Sequence, residues 1–391
     1  MSVFWAIMKL VFWASLGLIA YVYIGYPALV DLVSRLRKAS GDPCPAPPES
    51  PSVTVIIPAH NEEGWIGRKI ENTLALHYPS HRLEVIVASD GCTDRTVDIT
   101  RGYADRGVKV NHRAERSGKM ATLNRVVPKA RGDIILITDC HATLGSDALQ
   151  ALVRRFDDPN VGCVTGERVC SSTESSASEG EGLYWRYEAW IKRSESRLYS
   201  CLGGNGQVLA VRRCLVPPMP GPSDDFYIPM QILISSGKQT VYEPQAKARI
   251  PAAATLGGEL QRKVRTHVHT LRSLYDLRDG LKPWKSSIWW QFWSHKVLRL
   301  FVPYALLAVL FSSAFVWNEG ITYRVITSAQ WVFYIAVGLG CALARWGFRP
   351  RIVYTPFYFV FANVGVLLAW IRWARGERHS LWQRTVRTMP S

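Results

Sequence analysis

Residues 4–29 are apolar at almost every position, with Lys9 the one charge, and a run of that length matches a hydrocarbon core of about 30 Å. Three further apolar runs, 298–317, 328–344 and 354–370, close the chain at near-spanning length. Between these ends the pattern changes. Residues 52–58 form a β-branched apolar run that stops at Pro58, which reads as a buried strand. Similar runs recur at 83–89, 108–112, 133–138 and 161–169, with helical stretches opening at Asp94, Gly118 and Ser146. Strands alternating with helices predict an α/β fold with a mostly parallel sheet, whose ligands bind beyond the carboxyl ends of the strands. The expected layout is a membrane helix over 1–30, a juxtamembrane linker over 31–51 and a soluble domain over 52–250. Amphipathic interfacial helices over 251–296, a membrane region over 297–372 and a basic tail over 373–391 complete it.

Charge adds sidedness. Lysine and arginine number 47 against 31 acidic residues, a net charge of +16, which suits contact with anionic lipid or phosphorylated ligands. Arg35, Arg37 and Lys38 follow the first apolar run, so the positive-inside rule puts the soluble domain on the cytoplasmic face of the cell's inner membrane. Three full crossings after that domain would carry the basic tail outside, and the pattern leaves open whether one run is re-entrant or interfacial. Residues 259–281 mix basic side chains with Val264, Val268, Leu271 and Leu274, and Trp284, Trp289, Trp290 and Trp293 follow. This predicts a helix in the membrane interface leading into an aromatic belt. The eight cysteines contain no CxxC pair, so neither a zinc site nor a disulfide framework is indicated, and nothing calls for a nucleic acid.

The predicted strand ends carry acids and small polar groups: His60-Asn61-Glu62, Asp90-Gly91-Cys92-Thr93-Asp94 and Asp139-Cys140-His141. Such a crevice suits a nucleotide, yet no GxGxxG and no GxxxxGK[ST] occurs, which removes the main support for dinucleotide and P-loop readings. Thr93 or Asp94 could simply cap a helix. Asp90 precedes a glycine at a strand end, where a turn brings its carboxylate into the crevice.

Val55-Ile-Ile-Pro-Ala-His-Asn-Glu-Glu63, Ser89-Asp-Gly-Cys-Thr-Asp94, Gly118-Lys119 with Asn124, and Ile137-Thr-Asp139 follow one another in an order that resembles family 2 glycosyltransferases. The resemblance implies a GT-A fold flanked by transmembrane helices, and a nucleoside-diphosphate sugar donor, a UDP-sugar first. It puts Pro58 and Glu62 near the nucleoside, Asp90 on the base and Lys119 towards the donor. Asp139 matches the first acid of a metal-binding DxD whose third position is here His141. It also implies a divalent metal, Mn or Mg; either His141 ligates it, which suits Mn²⁺ better than oxygen-preferring Mg²⁺, or His141 only hydrogen-bonds and Asp139 alone serves the metal. Ser223-Asp224-Asp225 aligns with a TED-like motif, making Asp225 the catalytic base and Asp224 the second choice. Gln261-Arg-Lys-Val-Arg-Thr266 stands where a QxxRW signature is expected, with Arg262 and Arg265 as donor-binding cations and Thr266 in place of tryptophan. Tyr184, Trp185 and Trp190 could stack on an acceptor sugar or belong to the core.

The implied function is inverting transfer to a lipid-linked or polysaccharide acceptor among membrane lipids, by one or a few additions. A processive β-polysaccharide synthase is the alternative within the class. A non-catalytic sugar-nucleotide-binding subunit and a glycoside hydrolase stand outside it.

Overall fold

β1 (Val53–Ala59) is buried at every position, as a strand covered on both faces must be. The computed structural model describes residues 2–36, 50–171, 177–251, 256–348 and 350–377. Arg37, Lys38, the rest of the juxtamembrane linker through residue 49 and the tail from residue 378 lie outside the described residues.

β1 pairs in parallel with β2 (Leu83–Asp90) and with β4 (Ile134–Ile137), and β2 pairs in parallel with β3 (Val108–Arg113). With β5 (Thr143–Leu144), β6 (Val161–Ser171), β7 (Leu209–Arg212) and β8 (Gln239–Pro251), these make an eight-stranded sheet in the order β3-β2-β1-β4-β7-β6-β8-β5. All five strand expectations are met. The sheet is mixed on its other half, because β7 inserts antiparallel between β4 and β6 while β8 runs parallel to β6. One face of β1 and its neighbours buries Val53, Val55, Ile57, Val85 and Val87. The opposite face buries Ile56, Ile86, Ile135 and Ile137 in a cluster that reaches Leu271, Leu274 and Val366.

Four helical stretches among the described residues are long and apolar enough to cross a membrane: Val3–Leu36, Trp289–Glu319, Ile321–Arg345 and Arg351–Ala374. The first is longer than the expected 1–30, and the second starts inside the expected interfacial region, because helix continues unbroken through those boundaries. The first two pack through Phe12, Val309 and Val316, with Phe4 edge-on to Phe315. The last two meet where any side chain at Gly340 would run into the backbone of Val353.

Helix Leu256–Asp276 departs from expectation in a way that matters. Its apolar stripe of Val264, Val268, Leu271 and Leu274 was assigned to the membrane interface, but it is buried against protein, on Ala369 and Trp373 of the last helix and on the sheet cluster. Each such burial is worth about 1.5–3 kcal/mol, and together they clamp this basic helix between the sheet and the membrane helices. Trp284 is exposed, whereas Trp290 lies edge-on to Tyr26.

Candidate active site

The loop after β4 carries Asp139 and His141, and it is fastened from below. Lys69, buried on helix Glu63–Leu74, donates to the Thr138 hydroxyl at 2.9 Å and to the Ala142 carbonyl at 2.6 Å. The Cys140 thiol donates to the Pro58 carbonyl at 3.3 Å, so Pro58 serves this loop from the end of β1. Asp139 accepts from Lys119 Nζ at 2.7 Å and from Gln207 Nε2 at 3.1 Å, with His141 Nε2 3.8 Å away. Burial opposes the Asp139 charge, but Lys119, His141 and Gln207 outweigh it and hold the carboxyl far below its ordinary value. Burial likewise opposes the Lys119 charge and is outweighed by Asp139 and Asp225, so its pKa is raised.

Lys119 opens helix Lys119–Val126 directly after Gly118, whose φ of +91° favours glycine. Asp90 shapes that entry: it accepts the N–H groups of Ser117 and Gly118, both at 2.7 Å, and the Ser117 hydroxyl at 2.8 Å. These bonds outweigh the effect of burial and depress its pKa.

Asp224 and Asp225 divide their work. One Asp224 oxygen accepts the N–H of Asp225 at 2.6 Å and the other accepts the Thr270 hydroxyl. Burial first, then the neighbouring Asp225 charge, raise the Asp224 pKa, while Lys296 pulls it down. Neither acid's side chain caps the following helix Tyr227–Ser236. Asp225 lies against the Gly203-Gly204-Asn205-Gly206 segment, where a side chain on Gly206 would collide with its carboxylate.

Asp139, His141, Lys119, Asp224, Asp225, Arg262 and Arg265 all line one cavity of about 400 Å³. Pro58, Glu62 and Asp90 do not line it; Glu62 is buried, with its N–H donated to Thr96. Arg262 forks onto Glu259 at 2.9 and 2.7 Å. Burial, then Arg262, depress the Arg265 pKa. Tyr184 and Trp185 are in the wall, with Arg168 4.4 Å over the Trp185 ring, while Trp190 is not. Sequence reasoning missed Gln207, Lys192, Glu188, Lys296 and Arg299 as lining residues. Glu188, buried and strongly ionised because Arg299 and His295 overcome its desolvation, was visible only as one of many charges at helical spacing.

Asp139 and His141 offer one oxygen and one nitrogen ligand, and their 3.8 Å separation is too long for a hydrogen bond but within the span of two ligands on one small cation. Among the described residues no three His, Cys, Asp or Glu side chains form a group that could hold a metal ion, so a divalent cation here would complete its shell from substrate oxygens and water. The donor set fits such an ion.

The sequence profile described as Glycosyl transferase family 2 matches residues 54–212, the stretch that carries Asp90, Lys119 and Asp139. An N-acetylglucosaminyltransferase of Bradyrhizobium elkanii is 30% identical over 125 residues, 31% of this chain and 69% of that one. The chain belongs to glycosyl transferase family 2. Among other relatives, a beta-monoglucosyldiacylglycerol synthase of Nostoc sp. is 30% identical over 164 residues, 40% of this chain but only 35% of that protein's length. In three dimensions the chain is similar to a mannosyltransferase of Pyrobaculum calidifontis solved with GDP-Man and Mn²⁺. The TM-score is 0.69 at 24% identity, covering 92% of this chain and 97% of that one. That likeness covers nearly the whole of both chains, and it establishes the GT-A fold of this family 2 glycosyltransferase.

Proposed function

We propose that this glycosyltransferase inverts the anomeric centre of a nucleoside-diphosphate sugar as it transfers the sugar to a membrane-held acceptor on the cytoplasmic face. The observation that carries this reading is that Asp225, its carboxylate packed against Gly206, shares a cavity with the Lys119–Asp139 pair, while Asp224's oxygens are engaged elsewhere.

The chemistry follows from that arrangement. An acceptor hydroxyl attacks the anomeric carbon and gives its proton to Asp225. The bond from that carbon to the diphosphate oxygen breaks on the opposite side, and the diphosphate leaves with the electron pair. Lys119 and Arg265 bind and orient the diphosphate. A divalent cation, when bound by Asp139 and His141, supplies charge neutralisation at the departing diphosphate. The Pyrobaculum protein's complex with GDP-Man and Mn²⁺ supports the donor class and the metal. Asp90 acts by holding the Ser117–Gly118 turn that presents Lys119, and Glu62 lies near the nucleoside.

Addition of one or a few sugars fits better than processive synthesis. Thr266, which lines the cavity, stands in the sequence where a QxxRW tryptophan is expected, and lipid glycosylation is the activity that the Nostoc relative's name describes. Purified protein is to be given a panel of labelled nucleotide-sugars and membrane lipid extract, and the product's anomeric configuration read by NMR. Transfer with inversion is expected. Retention of configuration, or release of sugar from a polymer without any nucleotide, would refute the reading.

A further inference from the structure

Length and apolarity would let residues 351–374 cross a membrane, but their neighbours place them otherwise. The membrane face away from the sheet is marked by the ends of the other three long helices. Lys9 of the first pairs with Glu319, the last residue of the second, at 2.5 Å, and Trp13 donates to the hydroxyl of Tyr323, in the first turn of the third, at 3.1 Å. At a rise of about 1.5 Å per residue, Leu300 lies about 28 Å along its helix from Glu319, and Ala344 about 35 Å from Ile321. Each distance is close to a hydrocarbon thickness of about 30 Å. Leu300 and Ala344 therefore stand level with each other, at the face beside the catalytic domain.

The last helix touches both. Near its start Tyr354 shares a buried cluster with Ala344, and a side chain on Gly340 would meet Phe357 Cβ at 2.8 Å. Near its end Trp370 donates its indole N–H to the Leu300 carbonyl at 3.0 Å. Tyr354 and Trp370 are about 24 Å apart along the helix, so a crossing would set them at well-separated depths, yet their partners are level. Midway, the Phe359 ring points up into the bundle, 5.1 Å from the Tyr23 ring and 6.1 Å from that of Phe333. The helix also runs beside Leu256–Asp276. Tyr358 donates to Glu259 at 3.4 Å, a side chain on Gly365 would meet Lys263 Cβ at 3.2 Å, and Ala369 and Trp373 pack with Val264 and Val268. A helix carrying Arg262, Arg265 and Arg272 is not one that hydrocarbon accepts, and its neighbour shares its depth.

The face turned away from the protein is apolar. Val364, Leu368 and Ile371, spaced by four and three residues, are 36% to 42% exposed. Such a stripe is what acyl chains cover on an interfacial helix. Arg345 just before the helix and Arg372 and Arg375 at its end are exposed as well. Positive charge at both ends suits a single leaflet, the one on the catalytic side.

We infer that helix Arg351–Ala374 does not cross the membrane but lies in the leaflet on the catalytic side, with phospholipid acyl chains on its Val364–Ile371 stripe and protein on its other face. The described residues then cross three times, through Val3–Leu36, Trp289–Glu319 and Ile321–Arg345, and Arg375–Glu377 stand on the side of the catalytic domain. Tyr358, Asn363 and Val366, which line the catalytic cavity, come to lie at head-group depth.

The test uses the full chain with Cys44, Cys92, Cys170, Cys214 and Cys341 replaced by serine and one cysteine introduced at a time. A membrane-impermeant maleimide should reach Glu377→Cys from the same side as Cys214, in a chain that keeps that thiol, and Asn318→Cys from the opposite side. Glu377→Cys sharing its side with Asn318→Cys would overturn the inference. The comparison is internal to the chain, so it holds whichever face the catalytic domain occupies and whatever reaction it performs. In vesicles of phosphatidylcholine and phosphatidylglycerol, nitroxides on Ile352→Cys, Val364→Cys and Ile371→Cys report depth through their collisions with oxygen and with a water-soluble nickel chelate. The three depths should agree within about 5 Å, as one interfacial position requires. A crossing helix would separate Ile352 from Ile371 by about 28 Å, and a spread of that order would overturn the inference. Nickel collisions at all three as frequent as at Asp105→Cys, exposed on the soluble domain, would remove lipid from the stripe and overturn it equally.

Discussion

Lys119 and Asp139, 2.7 Å apart, the first half-buried and the second buried, hold each other's charge: the ammonium comes from the turn fixed by Asp90, the carboxylate from the loop fixed by Lys69. Lys119→Met leaves a desolvated carboxylate with only Gln207 and His141 beside it. Losing one partner of a buried pair costs about 3–5 kcal/mol, and losing a cation beside a developing charge lowers kcat by roughly 10²–10³. The Asp139 pKa should rise from its depressed value. Its contribution to stability is present above the usual 3.8 and lost as pH falls through the folded value, so the variant should lose this contribution at higher pH than wild type. Thermal unfolding between pH 3 and pH 7 (roughly the carboxylate range) checks this, and superimposable profiles would refute it.

Asp225→Asn should lower kcat by about 10²–10⁴ with donor binding kept. Asp224→Asn should cost less, since an amide oxygen can still accept the Asp225 N–H. Gly206→Ala, which pushes a methyl into the Asp225 carboxylate, should resemble Asp225→Asn. Single-turnover kinetics beside nucleotide binding separate these effects. A crippled Asp224→Asn with a near-normal Asp225→Asn would reverse the two roles.

His141→Asp exchanges a nitrogen ligand for an oxygen one, so activity with Mg²⁺ should rise relative to Mn²⁺, and chelator should silence both proteins. The ratio of rates in the two metals is the measurement. A ratio unmoved by the substitution would remove His141 from the metal site.

The sheet was legible where apolar runs were continuous, as at Ile56 and Ile57 in β1 or Ile134–Ile137, because burial on both faces leaves no polar interruption. β5 and β7 escaped because two to four residues carry too little periodicity, and the polar alternation of β8 around Lys247 and Arg249 masked a strand. Within the site, Asp139, His141 and Asp225 were legible because they stand in motifs. Gln207 and Lys296 were not, since each reaches the cavity only through tertiary packing of a segment with no local signature. The apolar stripe from Val264 to Leu274 reveals its period in sequence but not what covers it, and here protein covers it.

Lys69 supplies a pH prediction. Burial lowers its pKa to about 7, against the opposing pull of Cys140 and Asp139, while the unfolded side chain titrates near 10.5. Between those values the unfolded state binds more protons, so stability should rise with pH there, by at most about 1.4 kcal/mol per unit. Lys69→Met removes this slope along with the bonds to Thr138 and Ala142. The melting-temperature difference between wild type and variant, measured from pH 7 upward, should therefore grow with pH; a constant difference would show that Lys69 keeps its ordinary proton affinity.

Sidedness can be read from a native thiol. Cys214, in the turn after β7, is exposed on the domain that carries Asp139 and Asp225, whereas Cys140, Cys163 and Cys201 are buried. Arg35 lies in the last turn of the first long apolar stretch, and the +16 charge of the chain favours the leaflet that faces the nucleotide pool. With Cys44, Cys92, Cys170 and Cys341 replaced by serine, Cys214 becomes the reporter. A membrane-impermeant maleimide should leave intact cells unlabelled and label inside-out vesicles, and Cys214→Ser should abolish that signal. Labelling in intact cells would put the catalytic cavity on the outer face and, with it, remove access to cytoplasmic nucleotide-sugars.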